Sequence, residues 1–192
     1  MAAAILSSSV NREHFYQTLI SGNRTHPNRE WLARIIASWL TEGCVLPDCL
    51  GLEPAQFKSM RESFFPGVDI PERAPSGVEL DYSRMLEKED LIKLLRHFRK
   101  DSSEETDWMI GLIVAACLGS DHLWQDLGLW NRSELSALLA YNFPALAERN
   151  QKDMKWKKFL YKQLCEAEGL YLCRAPSCEV CADYSNCFGP EQ

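Results

Sequence analysis

The chain has 192 residues, 46% of them hydrophobic, which is enough for one domain with a real core that folds without metal. Its 21 basic residues against 27 acidic ones give a formal charge of −6, so no overall cationic field is available to draw in nucleic acid or anionic lipid. Met1 to Val10 lacks a basic segment followed by an apolar run of signal-peptide length, and the longest apolar block, Met109 to Gly119, falls short of the about 20 residues that cross a bilayer; a cytoplasmic protein is expected.

Apolar residues recur at helical spacing along most of the chain. Trp31, Leu32, Ile35, Ile36, Trp39 and Leu40 form one stripe, and Leu91, Ile92, Leu94, Leu95 and Phe98 form a second. Pro66, Gly67, Pro71, Pro75 and Gly77 leave no periodicity between 66 and 83, which reads as a loop or linker. Ser102 with Glu105, and Asn131 with Glu134, each pair a capping side chain with a carboxylate three residues on, marking two helix starts. Between them, Asp107 to Leu118 is apolar nearly all round, which predicts a central buried helix with Gly119 near its end. Pro144 should break or restart the helix defined by Leu135, Leu138 and Leu139, and a last helix carries Trp156, Phe159, Leu160 and Leu164 on one side. The helical pattern ends after Gly169. No alternating β-branched run can build a sheet, so the expected fold is all-α: a helical domain over 1–169 followed by a cysteine-rich loop over 170–192.

Eight cysteines in a reducing compartment point to metal ligation, redox chemistry or burial rather than disulfides. Four of them, Cys173, Cys178, Cys181 and Cys187, are spaced C-x4-C-x2-C-x5-C, with Pro176 and short polar residues favouring a looped backbone that wraps one point. Thiolates suit zinc, copper(I) and iron–sulfur clusters. A tetrathiolate zinc site usually pairs two C-x-x-C knuckles about 15–20 residues apart, and here only Cys178 and Cys181 make such a pair. The compressed run is closer to those that hold cubane clusters, which ranks above zinc and above free thiols. Cys117 reads as a small core residue and Cys165 as packed. Cys44 and Cys49, around Pro47, could form a second, weaker site, although a pair alone leaves a coordination shell incomplete.

The run from Asp153 to Cys165 (DMKWKKFLYKQLC), then Cys173 to Cys178 (CRAPSC) and Cys181 to Pro190 (CADYSNCFGP), resembles the NifQ family of nitrogen-fixation proteins. The segment from Asp121 to Leu129 (DHLWQDLGL) resembles it too, so the likeness covers at least the second half of the chain. What the resemblance implies is a molybdenum carrier, not an enzyme. It would hold a molybdenum–iron–sulfur cluster, open to interconversion with an iron–sulfur cubane, on Cys173, Cys178, Cys181 and Cys187. It would supply molybdenum for assembly of the iron–molybdenum cofactor of nitrogenase. The implied partners are the cofactor-assembly scaffold and the nitrogenase iron protein, with molybdate as metal source. A carrier must also release its metal, so an exchangeable or non-cysteine ligand to molybdenum is expected.

Residues 151 to 164 hold Lys152, Lys155, Lys157, Lys158 and Lys162 against Asp153 alone. Lys155, Lys158 and Lys162 fall on one helical side. They form either an electropositive approach for molybdate or an acidic partner, or simply a solvated helix face, the blander and favoured reading. Trp156 and Phe159 belong to the apolar stripe, so core packing outweighs nucleic-acid stacking. His122 and His97 are possible nitrogen ligands, His122 the better one, although a lone histidine is more often structural. No glycine-rich phosphate loop, nucleophile elbow or paired catalytic carboxylates are present. Two other classes compete. Helical iron–sulfur DNA-repair glycosylases also end in a four-cysteine loop, but with a longer first gap, and Pro66-Gly67-Val68 resembles their hairpin only faintly; the acidic balance opposes them. A zinc-stabilised interaction module is the other.

Overall fold

The computed structural model describes residues 2–21, 25–71, 87–167 and 184–189, with the side chains of residues 2–10 and of Tyr184 outside that description. Among the described residues the chain is helical and contains no strand. In order the helices are α1 (Ala2–Ile20), α2 (Pro27–Leu40), α3 (Pro54–Phe64), α4 (Lys88–Phe98), α5 (Glu104–Cys117), α6 (Leu123–Leu127), α7 (Arg132–Asn142), α8 (Pro144–Ala147), α9 (Trp156–Ala167) and α10 (Tyr184–Phe188). None is long and apolar enough to cross a membrane.

The centre is α5, where Trp108, Met109, Ile110, Leu112, Ile113, Val114, Ala115, Ala116 and Cys117 are all buried, as the all-round apolar pattern predicts. It packs against α3, α4 and α6, and α4 in turn packs on α9. The two predicted stripes face this core: Leu32, Ile35, Ile36 and Trp39 on α2, Leu91 and Leu95 on α4. Pro144 does restart the chain, ending α7 at Asn142 and taking the first position of α8, where its missing N–H costs nothing. The linker reading over 66–83 falls mostly outside the described residues. Only its start is seen, with Gly67 at φ 74° turning the chain after α3.

One cap is shifted from its predicted place. The N-cap of α5 is Ser103, not Ser102: its hydroxyl accepts the Thr106 N–H at 3.3 Å. The preceding carboxylate decides this. Asp101 Oδ1 accepts from the Ser103 N–H (3.1 Å), the Ser103 hydroxyl (2.5 Å) and the Thr106 hydroxyl (2.8 Å), fixing Ser103 in the capping position. These hydrogen bonds, that of the Ser103 side chain foremost, lower the Asp101 pKa to about 2. The second cap stands as predicted, with Asn131 Oδ1 accepting the Glu134 N–H at 2.9 Å and Glu134 Oε2 accepting the Trp130 N–H at 2.9 Å.

Two buried polar devices join helices distant in sequence. Arg29, 7% exposed, donates from Nη2 to the carbonyls of Leu19 (2.8 Å) and Ser21 (3.0 Å), from Nη1 to that of Ile20 (3.2 Å), and from Nε to that of Phe64 (3.0 Å). One cation thereby satisfies carbonyls at the C-terminal ends of both α1 and α3, where it also meets the negative ends of their dipoles. Asn28 and Asn142, both fully buried, exchange amide hydrogen bonds of 3.0 and 2.8 Å between α2 and α7.

Asn28→Ala should cost about 1–3 kcal/mol in chemical denaturation, because it removes the partner of a buried amide, whereas Asn28→Leu combined with Asn142→Leu should cost less than the single change. A double variant at least as unstable as the sum of the two singles would show that the pair does not act as a unit. Asp101, whose folded pKa lies below its ordinary 3.8, contributes stability that is present above that value and lost as pH falls toward about 2. The unfolding midpoint of Asp101→Asn should therefore lie below that of the parent at neutral pH and converge on it between about pH 4 and 2.

Candidate functional site

The site is organised by the first turn of α9, and the chain is clamped just before it. Asn150 takes the Met154 N–H on Oδ1 (2.8 Å) and donates from Nδ2 to the Met154 carbonyl (2.9 Å). Asp153 sits in the left-handed region at φ 52°, a conformation an aspartate tolerates but does not favour. Arg132 holds it there with a two-pronged fork, Nη1 to Oδ2 (2.9 Å) and Nη2 to Oδ1 (2.8 Å), and Nη2 also donates to the Asp153 carbonyl (2.8 Å). Trp156 then enters the core and donates from Nε1 to the Ser136 hydroxyl at 3.0 Å. The direction of α9 is thus fixed from α7.

Lys157 turns inward from this first turn. Its ammonium donates to Asp126 Oδ2 on α6 and to the Gly119 carbonyl (2.8 Å) at the end of α5. Asp126 is only 1% exposed; burial raises its pKa, and Lys157 offsets only part of the rise. Gly119 is required by this packing, since a Cβ at its position would run into the Asp126 carboxylate. The far end of α6 is fastened to α2. Gly128, at φ 82°, closes the helix and accepts the Ser38 hydroxyl on its carbonyl at 2.6 Å.

The C-terminal segment docks on the start of α9. Helix α10 carries Cys187, whose carbonyl accepts the Lys155 N–H at 2.8 Å, while the Lys155 ammonium donates to the Ser185 carbonyl at 3.2 Å. Cys187 and Phe188 are half-buried against the core. Beside them opens a cavity of about 390 Å³. One wall is the connection from α5 into α6, with Ser120, Asp121, His122 and Gln125; the other is Lys155, Lys157 and Lys158 from α9, with Asn186 of α10 at the rim. A basic cavity therefore adjoins a thiol-bearing segment, an arrangement that can hold an anion beside a soft metal ligand.

Of the predicted ligands, Cys187 is placed here, on a short helix rather than in the expected loop, and His122 lines the adjoining cavity. Cys173, Cys178 and Cys181 lie outside the described residues. Among the described residues no group of three or more metal-ligating side chains is assembled. His97 is remote from Cys187: its ring stands edge-on to Phe98 at 4.7 Å and lines a different cavity, of about 520 Å³, which also contains Leu164 and Ala167 at the other end of α9. Cys117 is a core residue, its thiol pushed up to about 12 by burial. Cys44 packs against Gly128, where an added Cβ would come within 3.0 Å of its own. Cys49 stands in a tight left-handed turn at φ 55°, its thiol raised by burial and by Asp48 and Glu53. Cys165 is half-buried on α9.

Of the three lysines read as one helical side, Lys155 and Lys158 line this cavity, while Lys162, one turn beyond Lys158, meets Glu166 at 3.5 Å. Lys155 caps the helix, its carbonyl accepting the Phe159 N–H at 2.9 Å. Lys157 lines the cavity as well. Gln125 and Asn186, also in the walls, carried no sequence signal beyond lying in the segments that resemble the family.

The NifQ family model matches residues 31–189, taking in the helical body from α2 onward and the whole four-cysteine run. Protein NifQ of Azotobacter vinelandii is 44% identical over 174 residues, covering 85% of this chain and 89% of that protein. Protein NifQ of Rhodobacter capsulatus is 31% identical over 183 residues (93% and 99% of the two chains), and that of Klebsiella pneumoniae 32% over 169 residues (84% and 99%). No solved structure matches the chain. This is an all-helical protein of the nitrogen-fixation class. The chain belongs to the NifQ family.

The inward lysine gives a direct test of how the site is held. Lys157→Met leaves the buried Asp126 carboxylate without its cation. It should cost stability toward the lower end of the roughly 3–5 kcal/mol typical of breaking a buried pair, because the Lys157 side chain is itself 17% exposed. Gly119→Ala should also destabilise, by driving a methyl group into the same carboxylate. Thermal melts of the two variants measure both effects, and a parent-like melt for Lys157→Met would show the pair to be energetically idle.

Proposed function

We propose that this chain is a molybdenum–iron–sulfur cluster carrier that supplies molybdenum for assembly of the iron–molybdenum cofactor of nitrogenase. The observation that carries the reading is the extent of the family match: it runs unbroken from the helical body through the C-x4-C-x2-C-x5-C run to Gly189. In this reading the cluster is cargo. Cys173, Cys178, Cys181 and Cys187 hold it, soft thiolates suited to iron and to molybdenum once sulfide has replaced its oxygens. His122, across the cavity from the Cys187 segment, is the candidate for the exchangeable non-cysteine ligand. The chain acts as a metallochaperone in the cytoplasm and performs no catalytic turnover. It receives metal that enters as molybdate and passes it to the cofactor-assembly scaffold, with the nitrogenase iron protein as a further partner.

Two features of the described residues support the reading. The α10 segment bearing Cys187 rests on a helical body with its own apolar core, so loading and unloading of a cluster need not unfold the protein. Cys187 is also only half-buried, which leaves its thiol within reach of a delivered or departing metal.

Anaerobic purification followed by iron, sulfide, molybdenum and zinc analysis tests the proposal. Iron with sulfide and molybdenum is expected in the parent, severe loss on Ala replacement of any one of the four cysteines, and no loss in Cys117→Ala. Zinc alone would convert the segment into a structural clip, and iron with sulfide but no molybdenum would remove the carrier role. Full metal content in all four single variants would place the cluster elsewhere.

A further inference from the structure

We propose that the cavity between α6 and the start of α9 is a docking site for a small tetrahedral oxyanion, bound by the ammonium groups of Lys155 and Lys158 and the side-chain amides of Gln125 and Asn186. The identification of molybdate as its occupant rests on the function proposed above; the site itself rests on the geometry alone.

The charges around the cavity are unevenly committed. Lys157 is spent, since its ammonium is held by the Asp126 carboxylate and the Gly119 carbonyl, and it serves to neutralise a buried anion. Lys155 uses one of its three N–H donors on the Ser185 carbonyl and keeps two others. Lys158 lines the same wall. Against these stands one lining carboxylate, Asp121. In a chain of net charge −6 this is a local reversal of sign, and it sits at the positive end of a 12-residue helix, whose dipole adds to it. The amides supply uncharged donors. Gln125 already presents its side-chain oxygen to the His122 N–H at 3.2 Å, which turns its NH2 group away from that bond.

The size admits a hydrated ion. A water occupies roughly 30 Å³, so about 390 Å³ takes a four-oxygen anion together with several waters. The position gives the site its use. Asn186 at its rim is the neighbour of Cys187, and the Lys155 that would bind the anion also donates its backbone N–H to the Cys187 carbonyl. An anion docked there waits beside the last cysteine of the run and is held by charge and hydrogen bonds, with no covalent bond made or broken.

Equilibrium dialysis of labelled molybdate against full-length, metal-free protein tests this directly, at low and at high salt. Four chains are compared: the parent, a variant with Cys173, Cys178, Cys181 and Cys187 all changed to Ser, the pair Lys155→Gln with Lys158→Gln, and Lys162→Gln. Saturable binding to about one site is expected in the parent, in the cysteine variant and in Lys162→Gln, weakening with salt. The Lys155/Lys158 variant should bind about tenfold more weakly, the loss expected for charged hydrogen bonds. Asn186→Asp, which adds a negative charge beside the cavity without altering α9, should weaken binding as well and guards against a folding defect in the lysine pair. Excess tungstate, sulfate and phosphate should displace the label as a shared oxyanion chemistry requires, with molybdate the tightest. Phosphate or sulfate binding more tightly would give the site a different occupant and overturn the molybdate assignment. Binding that disappears with the cysteines, or that survives both the lysine pair and Asn186→Asp, would overturn the site. Because the cysteine variant carries no cluster, loss of the carrier reading through metal analysis would leave this result standing.

Discussion

A carboxylate buried to 1% exposure in a helical core has to be answered, and in this protein the answer sets the position of nearly everything around it. Asp126 cannot stay charged without a cation, and the cation comes from Lys157, thirty-one positions away. Bringing the two together requires that α5 end next to α6, that Gly119 have no side chain, and that the first turn of α9 point toward the core. The Arg132 fork on Asp153 and the Asn150 clamp on Met154 set the direction of α9, and the left-handed closure at Gly128 fastens the far end of α6 to α2. The pair adds little net energy compared with an apolar contact of the same size. It adds direction, because a half-made ion pair in a dry core is far more costly than a misplaced leucine.

That direction is what makes the basic cavity. With Lys157 drawn inward, Lys155 and Lys158 are left facing the α5–α6 connection, and α10 closes over the end of the helix through the Cys187 carbonyl. The acidic character of the chain as a whole and the basic character of this one recess are therefore compatible. The recess gains from the helix dipole and from short range; the average charge acts only at longer range and is screened by salt.

The described structure divides into a helical body and a C-terminal segment docked on it. A helical body whose core includes Leu32, Ile36, Leu95, Ile113 and Leu160 keeps its shape on apolar burial. Cys187, the last cysteine of the run, lies on α10, which docks on the start of α9. Membership of the NifQ family joins the two halves, since the matched range covers both. In the carrier reading proposed here, the body is the fixed support and the cysteine run the part that changes occupancy.

The sequence by itself determined the fold class, because helical periodicity and the absence of alternating runs are local properties. It placed the buried centre at α5, the restart at Pro144 and the cap at Asn131, all set by neighbours within four residues. It singled out the four-cysteine run through spacing, and the likeness to a known family through the residue runs around it and over Asp121 to Leu129. It missed by one residue at the α5 cap, where Asp101 chose Ser103 over Ser102. Only the tertiary structure decided which lysines meet, that Lys157 is structural while Lys155 faces the cavity, and that Asn28 finds Asn142. These pairings join residues that lie from about 30 to more than 100 positions apart, and no periodicity records them, because long-range contact is fixed by how the helices pack and by which buried charge must find its partner.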